Sequence, residues 1–188
     1  GTAFVLPVYR HKRLSDVRLD EKFMAKWTAA CGESVLDFGS GQGDEARMLR
    51  DAGIRVTTFE PYPAENNAVS RERGRASALG FLSAVRSGVP FSAIFVSSVL
   101  NSVPFPEDRE HVAALCGPET LVCAAARGTK SSAWGWFAGG EAMSERASRA
   151  CNFPLGMEPG VVLGDLAVSP KVQKFFELEE WRALWSRH

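Results

Sequence analysis

Paired cysteine motifs are missing from this sequence. Its four cysteines, Cys31, Cys116, Cys123 and Cys151, show no Cys-x-x-Cys or His-paired spacing. Neither a zinc knuckle nor a disulfide framework is written here, and reduced thiols in a cytoplasmic setting are the expectation. With no adjacent His or basic motif to lower a thiol pKa, the cysteines read as buried structural groups. Excess charge is missing too: 22 Lys and Arg offset 22 Asp and Glu. The electrostatic surplus that drives nonspecific binding to nucleic acid is therefore absent. No apolar run approaches the length that spans a bilayer, and Gly1 to Tyr9 lacks the charged-then-apolar order of a signal peptide. A membrane partner is not expected. Internal repeats and low-complexity blocks are also lacking.

The chain has 188 residues, 45% of them hydrophobic and 10% aromatic. That is enough to bury a core and suits about one domain. Short β-rich runs alternate with helical stretches, the pattern of parallel α/β construction. Ser34 to Gly39 reads as a first strand. Asp44 and Glu45 then open a helix, with Met48, Leu49 and Ala52 at helical spacing and Gly53 as its stop. Arg55 to Glu60 is a β-branched second strand closed by Pro61 and Pro63. Between Ala64 and Gly88, Ala76, Leu79, Leu82 and Val85 recur every three residues and predict the buried face of one long helix. Phe91 to Val99 reads as a central buried strand, Pro106 to Gly117 as a helix, and Thr120 to Ala126 as a fourth strand. Asp20 to Ala30 predicts a helix near the start. From Gly128 to Pro170 the pattern dissolves into Ser, Gly, Ala and Trp, with Glu141 to Ala150 its only plausible helix, and the segment reads as an insertion or lid. Val172 to Glu177 predicts a short strand and Leu178 to Trp185 a final amphipathic helix, whose neighbours Phe175, Phe176, Trp181, Leu184 and Trp185 read as core.

The strongest chemical signal is Val35-Leu36-Asp37-Phe38-Gly39-Ser40-Gly41-Gln42-Gly43. Glycines there let the backbone turn sharply and let a ligand approach main-chain N–H groups at a helix N-terminus. The loop follows a strand, opens a helix and is joined by Glu60 at the end of the next strand, where a carboxylate can accept bonds from both ribose hydroxyls of a nucleoside.

Over roughly Glu33 to Arg127 the sequence resembles the class I S-adenosylmethionine-dependent methyltransferases, whose first motif is an acid followed by GxGxG and whose second strand ends in another acid. The resemblance implies a doubly wound, mostly parallel Rossmann-like sheet with S-adenosylmethionine as cofactor. It places Asp37, Gly39, Gly41 and Gly43 along the methionine and ribose parts of the cofactor, Glu60 on the ribose diol, and Ser98 to Asn101 along the site after the central strand. A nicotinamide fingerprint, GxGxxG, asks for no acid two positions before its first glycine. The family's third strand and its adenine-contacting acid have no counterpart between Glu60 and Phe91. Its C-terminal hairpin is not evident either: Val161 to Glu177 supplies replacement strands or the sheet is shortened. The resemblance divides the single domain into a helical cover over 1–30, a cofactor-binding core over 33–127, the lid over 128–170 and a C-terminal strand and helix over 171–188.

The methyl acceptor, a small molecule or an exposed group of a macromolecule, is not readable. Ser97 to Phe105 lacks the Asn/Asp-Pro-Pro-aromatic motif of amino-methylating DNA enzymes, and no paired acids suit a magnesium site. Methyl transfer from a sulfonium is an in-line displacement that alignment and desolvation can catalyse, so a general base is optional. Glu107 and His111 are the weak catalytic candidates, followed by Asp108 and His11, with a surface histidine as the simpler account of His111. Trp134 and Trp136, with Phe137, either wall a planar or cationic substrate or pack the insertion onto the sheet. The cluster Arg10, His11, Lys12 and Arg13 either covers the site or is a solvated charge run. Three functions compete: a methyltransferase; a noncatalytic partner or cofactor-binding module that has kept the fold; and a nicotinamide-dependent oxidoreductase, which Asp37 and the GxGxG spacing argue against.

Overall fold

The structure is a computed structural model that describes residues 21–62, 67–116, 120–126, 151–154, 158–164 and 171–188. The basic cluster Arg10 to Arg13, the expected helix Glu141 to Ala150, and the aromatics Trp134, Trp136 and Phe137 lie outside the described residues. The chain forms two compact units. The first takes in the described residues up to Ser97 together with the fourth strand, and the second takes in 98–116 and the described residues from Ala126 onward.

The first unit is a Rossmann-like α/β layer. Its four strands are β1 (Ser34–Phe38), β2 (Arg55–Phe59), β3 (Ala93–Ser97) and β4 (Leu121–Ala125), and its helices are α1 (Glu21–Cys31), α2 (Asp44–Asp51) and α3 (Ala68–Arg86). The sheet order is β2-β1-β3-β4, and every pairing is parallel. Central β1 and β3 are buried along nearly their whole length, as continuous apolar runs in a parallel sheet require. On one face Val35, Ala93 and Phe95 pack with Trp27 and Cys31 of α1, Leu49 of α2 and Ile54. Ser34 and Ser92 tie the starts of β1 and β3 together: Ser92 Oγ donates to the Ser34 carbonyl at 2.8 Å, and Ser34 Oγ donates to the Pro90 carbonyl at 2.8 Å.

The long helix is present as α3, started by Asn67, whose side chain accepts the Ser70 N–H at 2.8 Å. Its buried face corrects the sequence reading. Leu79, Leu82 and Val85 are exposed, whereas Ser70 and Gly74 are buried and Phe81 packs at a tilt against Phe59 with ring centroids 4.9 Å apart. A three-residue spacing falls about 60° short of a full turn at each step. The row from Ala76 to Val85 therefore spirals around the helix instead of marking a face. Small residues are selected where the backbones of helix and strand approach closely.

In the second unit a 3-10 turn (Leu100–Ser102) precedes α4 (Pro106–Cys116). The antiparallel strands β5 (Cys151–Pro154), β6 (Val161–Gly164) and β7 (Lys171–Lys174) form their own sheet, and α5 (Leu178–Ser186) follows. Strands β5 and β6 correct the reading of 128–170 as a stretch without pattern. The choice posed for Val161 to Glu177 resolves into strands that pair with one another in a separate sheet. The expected core holds here: Phe176 and Leu184 cluster with Leu100 and Ala113, and Trp181 and Trp185 pack against them. Helix α5 begins with a reciprocal capping box between Glu177 and Glu180.

Beside that core lies a buried charge network. Lys174, 1% exposed, contacts the carboxylates of Glu158 at 3.3 Å and Glu180 at 2.6 Å and donates to the Pro159 carbonyl at 2.6 Å. Arg109, also buried, donates to the Val103 and Pro104 carbonyls and pairs with Glu158. Both cations lie over the Phe176 ring, at 5.4 and 5.8 Å from its centroid. Among the described residues no helix is long and apolar enough to cross a membrane.

Candidate functional site

The site begins where β1 ends. Gly39, Gly41 and Gly43 have φ of 74°, 54° and 74°, so alternate residues of the loop are left-handed, a conformation that side chains beyond glycine rarely adopt. The turn brings the Gly39 N–H to the Phe59 carbonyl at 2.7 Å and the Gly43 N–H to the Ser40 carbonyl at 2.8 Å. It thereby binds the loop to the end of β2 and delivers the chain to the N-terminus of α2.

Glu60 secures the loop from β2. One carboxylate oxygen accepts the Gly41 N–H at 2.9 Å and the other accepts the Tyr62 N–H at 3.2 Å, while the Glu60 N–H donates to Ser77 Oγ at 2.9 Å. Two acceptor positions are thus engaged by backbone, and a carboxylate has about four. The expected ribose acid also shapes the loop.

Asp37 sits in β1 between Thr58 of β2 and Phe95 of β3. It is 2% exposed, and its Oδ2 has no hydrogen-bond partner among the described residues. Burial foremost, then the negative charge of Glu45, raises its pKa to about 7, with Arg50 opposing and Glu60 adding to the rise. A buried acid that exchanges its proton near neutrality is the most perturbed titratable group of the first unit described here.

A cleft of about 500 Å³ opens beside the loop. Gly41, Gly43 and Glu60 line it, as do Thr58 of β2 and Ser77 of α3. Asp37 and Gly39 do not, and lie in the strand and turn that precede it. The sequence reading missed Arg47 and Arg50 of α2 and Arg73 of α3, which also line the cleft. The signal that would have found the first two is their i,i+3 spacing on a helix that opens at the glycine loop.

Ser98 and Asn101 belong to the second unit. Ser98, directly after β3, has a φ of 56°, the only positive value among the described non-glycine residues. Asn101 is 4% exposed; its Nδ2 donates to Gln173 Oε1 at 3.0 Å, and its Oδ1 is without a partner among the described residues. Glu107, Asp108 and His111 are exposed on α4. His111 thus has the surface setting that its helical position suggested, while Arg109, between them in sequence, is buried along with Ala113 and Cys116.

A family model described as a methyltransferase domain matches residues 9–146. No curated protein matches the chain at a significant level. The matched stretch contains the whole parallel sheet and covers well over half of the sequence, and the chain belongs to this methyltransferase domain family.

Proposed function

We propose that the protein transfers the methyl group of S-adenosylmethionine to an acceptor, a small molecule or an exposed group of a macromolecule, with catalysis resting mainly on positioning. The observation that carries this reading is the buried Asp37 carboxylate, one oxygen without a partner among the described residues, immediately before a loop of left-handed glycines. Asp37 suits a ligand that brings positive charge, because a nearby cation favours the ionised carboxylate that burial disfavours. Nothing lies within 4 Å of where a side chain would begin at Gly41 or Gly43, so the loop leaves room for close approach. Asp37 and the loop would hold the methionine part, and the remaining acceptor positions of Glu60 would take the ribose diol. When bound, S-adenosylmethionine supplies an electrophilic methyl on a sulfonium. The chain's contribution is to orient it and exclude water.

Calorimetric titration tests the reading. S-adenosylmethionine and S-adenosylhomocysteine are expected to bind and NAD is not. Gly41→Val forces a β-branched residue to the φ of 54° and should abolish binding while circular dichroism shows a folded protein. Unchanged affinity in the folded variant, or preference for NAD, overturns the site. A methyl-transfer assay over a panel of acceptors then separates an enzyme from a cofactor-binding module.

A further inference from the structure

The methyl-transfer reading gives no task to the outward face of α3. Inward, Ser70 and Gly74 are buried, Ser77 Oγ accepts the Glu60 N–H and donates to Thr58, and Phe81 packs against Phe59. At about 100° per residue these four positions fall within about 60° of one another. Leu79, nine residues beyond Ser70, stands diametrically opposite that residue. Leu79 and Leu82 are 49% and 46% exposed, and Glu72, Arg75, Ser83 and Arg86 are exposed on the same side of the helix. Half-exposed leucines rimmed by polar residues are the pattern of an interaction surface, and no described part of the chain covers them.

The charges on this face identify its occupant. Glu72, Leu79 and Arg86 are seven residues apart, so they run in one line along the helix with a drift of only about 20° per step. The acid lies as far before Leu79 as the base lies after it. A second α3 laid antiparallel on the first, with a twofold axis at Leu79, sets each residue before Leu79 opposite the residue equally far after it on the other copy. Leu79 then meets its own counterpart, Glu72 meets the partner's Arg86, and Arg86 meets the partner's Glu72. Arg75, which pairs with Glu72 along its own helix at 3.2 Å, falls opposite the partner's Ser83. Arg86 has no ion-pair partner among the described residues. A parallel arrangement would instead set acid against acid and base against base, which is unfavourable. Such self-complementarity about a single point is what a twofold interface between identical chains requires.

We propose that the outward face of α3 is a homodimer interface, in which two copies pack this helix antiparallel about Leu79, with Leu82 beside it and reciprocal Glu72–Arg86 ion pairs at either end. A contact of one 19-residue helix per copy falls at or below the roughly 1,200 Å² where standard interfaces begin. Association is therefore weak and reversible, with an expected Kd of about 10–100 µM.

Sedimentation velocity of the full chain from about 2 to 500 µM tests the interface, and neither cofactor nor methyl acceptor enters the experiment. The wild type should shift from monomer to dimer across that range. Leu79→Glu should stay monomeric with an unchanged circular dichroism spectrum, since no packing within the described chain is lost. Charge reversal then reads the register. Glu72→Arg and Arg86→Glu should each weaken self-association about tenfold or more, because the twofold axis makes every change count twice. An equimolar mixture of these two variants restores both ion pairs and should dimerise as the wild type does, as should the double variant Glu72→Arg, Arg86→Glu. A wild type that is monomeric throughout, or a dimer that survives Leu79→Glu, overturns the interface. Single reversals without effect, or a mixture no tighter than its components, overturn the antiparallel pairing about Leu79.

Discussion

Asp37→Asn isolates the cost of placing an ionisable group in the middle of a parallel sheet. Asp37 is 2% exposed, and its pKa stands at about 7 against an ordinary 3.8. Folding therefore favours the protonated form. The stabilising contribution is complete below the unfolded pKa near 4 and is lost as pH rises through the folded pKa near 7. Between those limits the folded state holds one proton that the unfolded state lacks, so stability falls by about 1.4 kcal/mol per pH unit. From pH 5 to pH 8 this group alone removes about 2.5 kcal/mol. Asn keeps the shape and cannot ionise. Urea unfolding of both proteins at half-unit steps across that range should give curves that diverge steadily and become parallel above about pH 7.5. The variant should gain on the wild type as pH rises, whatever constant offset the amide introduces. Curves parallel over the whole range would show that Asp37 is ionised throughout and would refute the argument. A bound cation reverses the preference, so affinity for S-adenosylmethionine should increase with pH between 6 and 8 in the wild type and be flat in the variant.

Two further substitutions probe the site and the second unit. Glu60→Ala should weaken S-adenosylhomocysteine by about 1.5–3 kcal/mol; because Glu60 also holds the Gly41 N–H, a 2′-deoxy analogue is needed to isolate the diol contact, and its deficit should shrink in the variant if Glu60 binds the ribose. Lys174→Met removes the buried cation shared by Glu158 and Glu180, but Glu158 keeps Arg109 and Glu180 is partly exposed, so the cost in urea unfolding should be about 1–3 kcal/mol, and no measurable loss would refute a contribution of the network to stability.

The first unit was legible because its signals are local. A strand carrying Asp37, glycines at fixed offsets, acids in the first turn of α2 and a β-branched strand followed by Glu60 are all encoded within 33–60, and each agrees with the others. The buried face of α3 was not legible, because close packing against β2 is made by Ser70, Gly74 and Ser77, residues that periodicity counts as polar or neutral. The arginine cleft was obscured for a related reason: Arg73 stands among Arg71, Glu72 and Arg75 in what reads as a solvated face, and only the fold brings it opposite Arg47 and Arg50. In the second unit the partners of Lys174 come from β6's approach and from α5, and nothing in local sequence announces that a lysine will be 1% exposed. Its strands are four residues each and the stretches between them are as apolar as the strands, so none stands out until it pairs.

The serine clasp between β1 and β3 bears on the order in which the first unit assembles. It joins residues 58 positions apart, whereas β1 reaches its other neighbour, β2, across less than half that length of chain. Closing the longer loop costs about 1 kcal/mol more in chain entropy, a difference of little weight in equilibrium stability. In time it weighs more, because contacts distant in sequence are made after the local β1-α2-β2 unit has already excluded most alternatives. Ser92 then acts as a register stop: its hydroxyl donates to the Ser34 carbonyl and accepts the Ser34 N–H, a pairing that a strand shifted by one residue cannot make. The hydroxyl thus guards against a slip that would turn every buried side chain of β3 to the wrong face of the sheet.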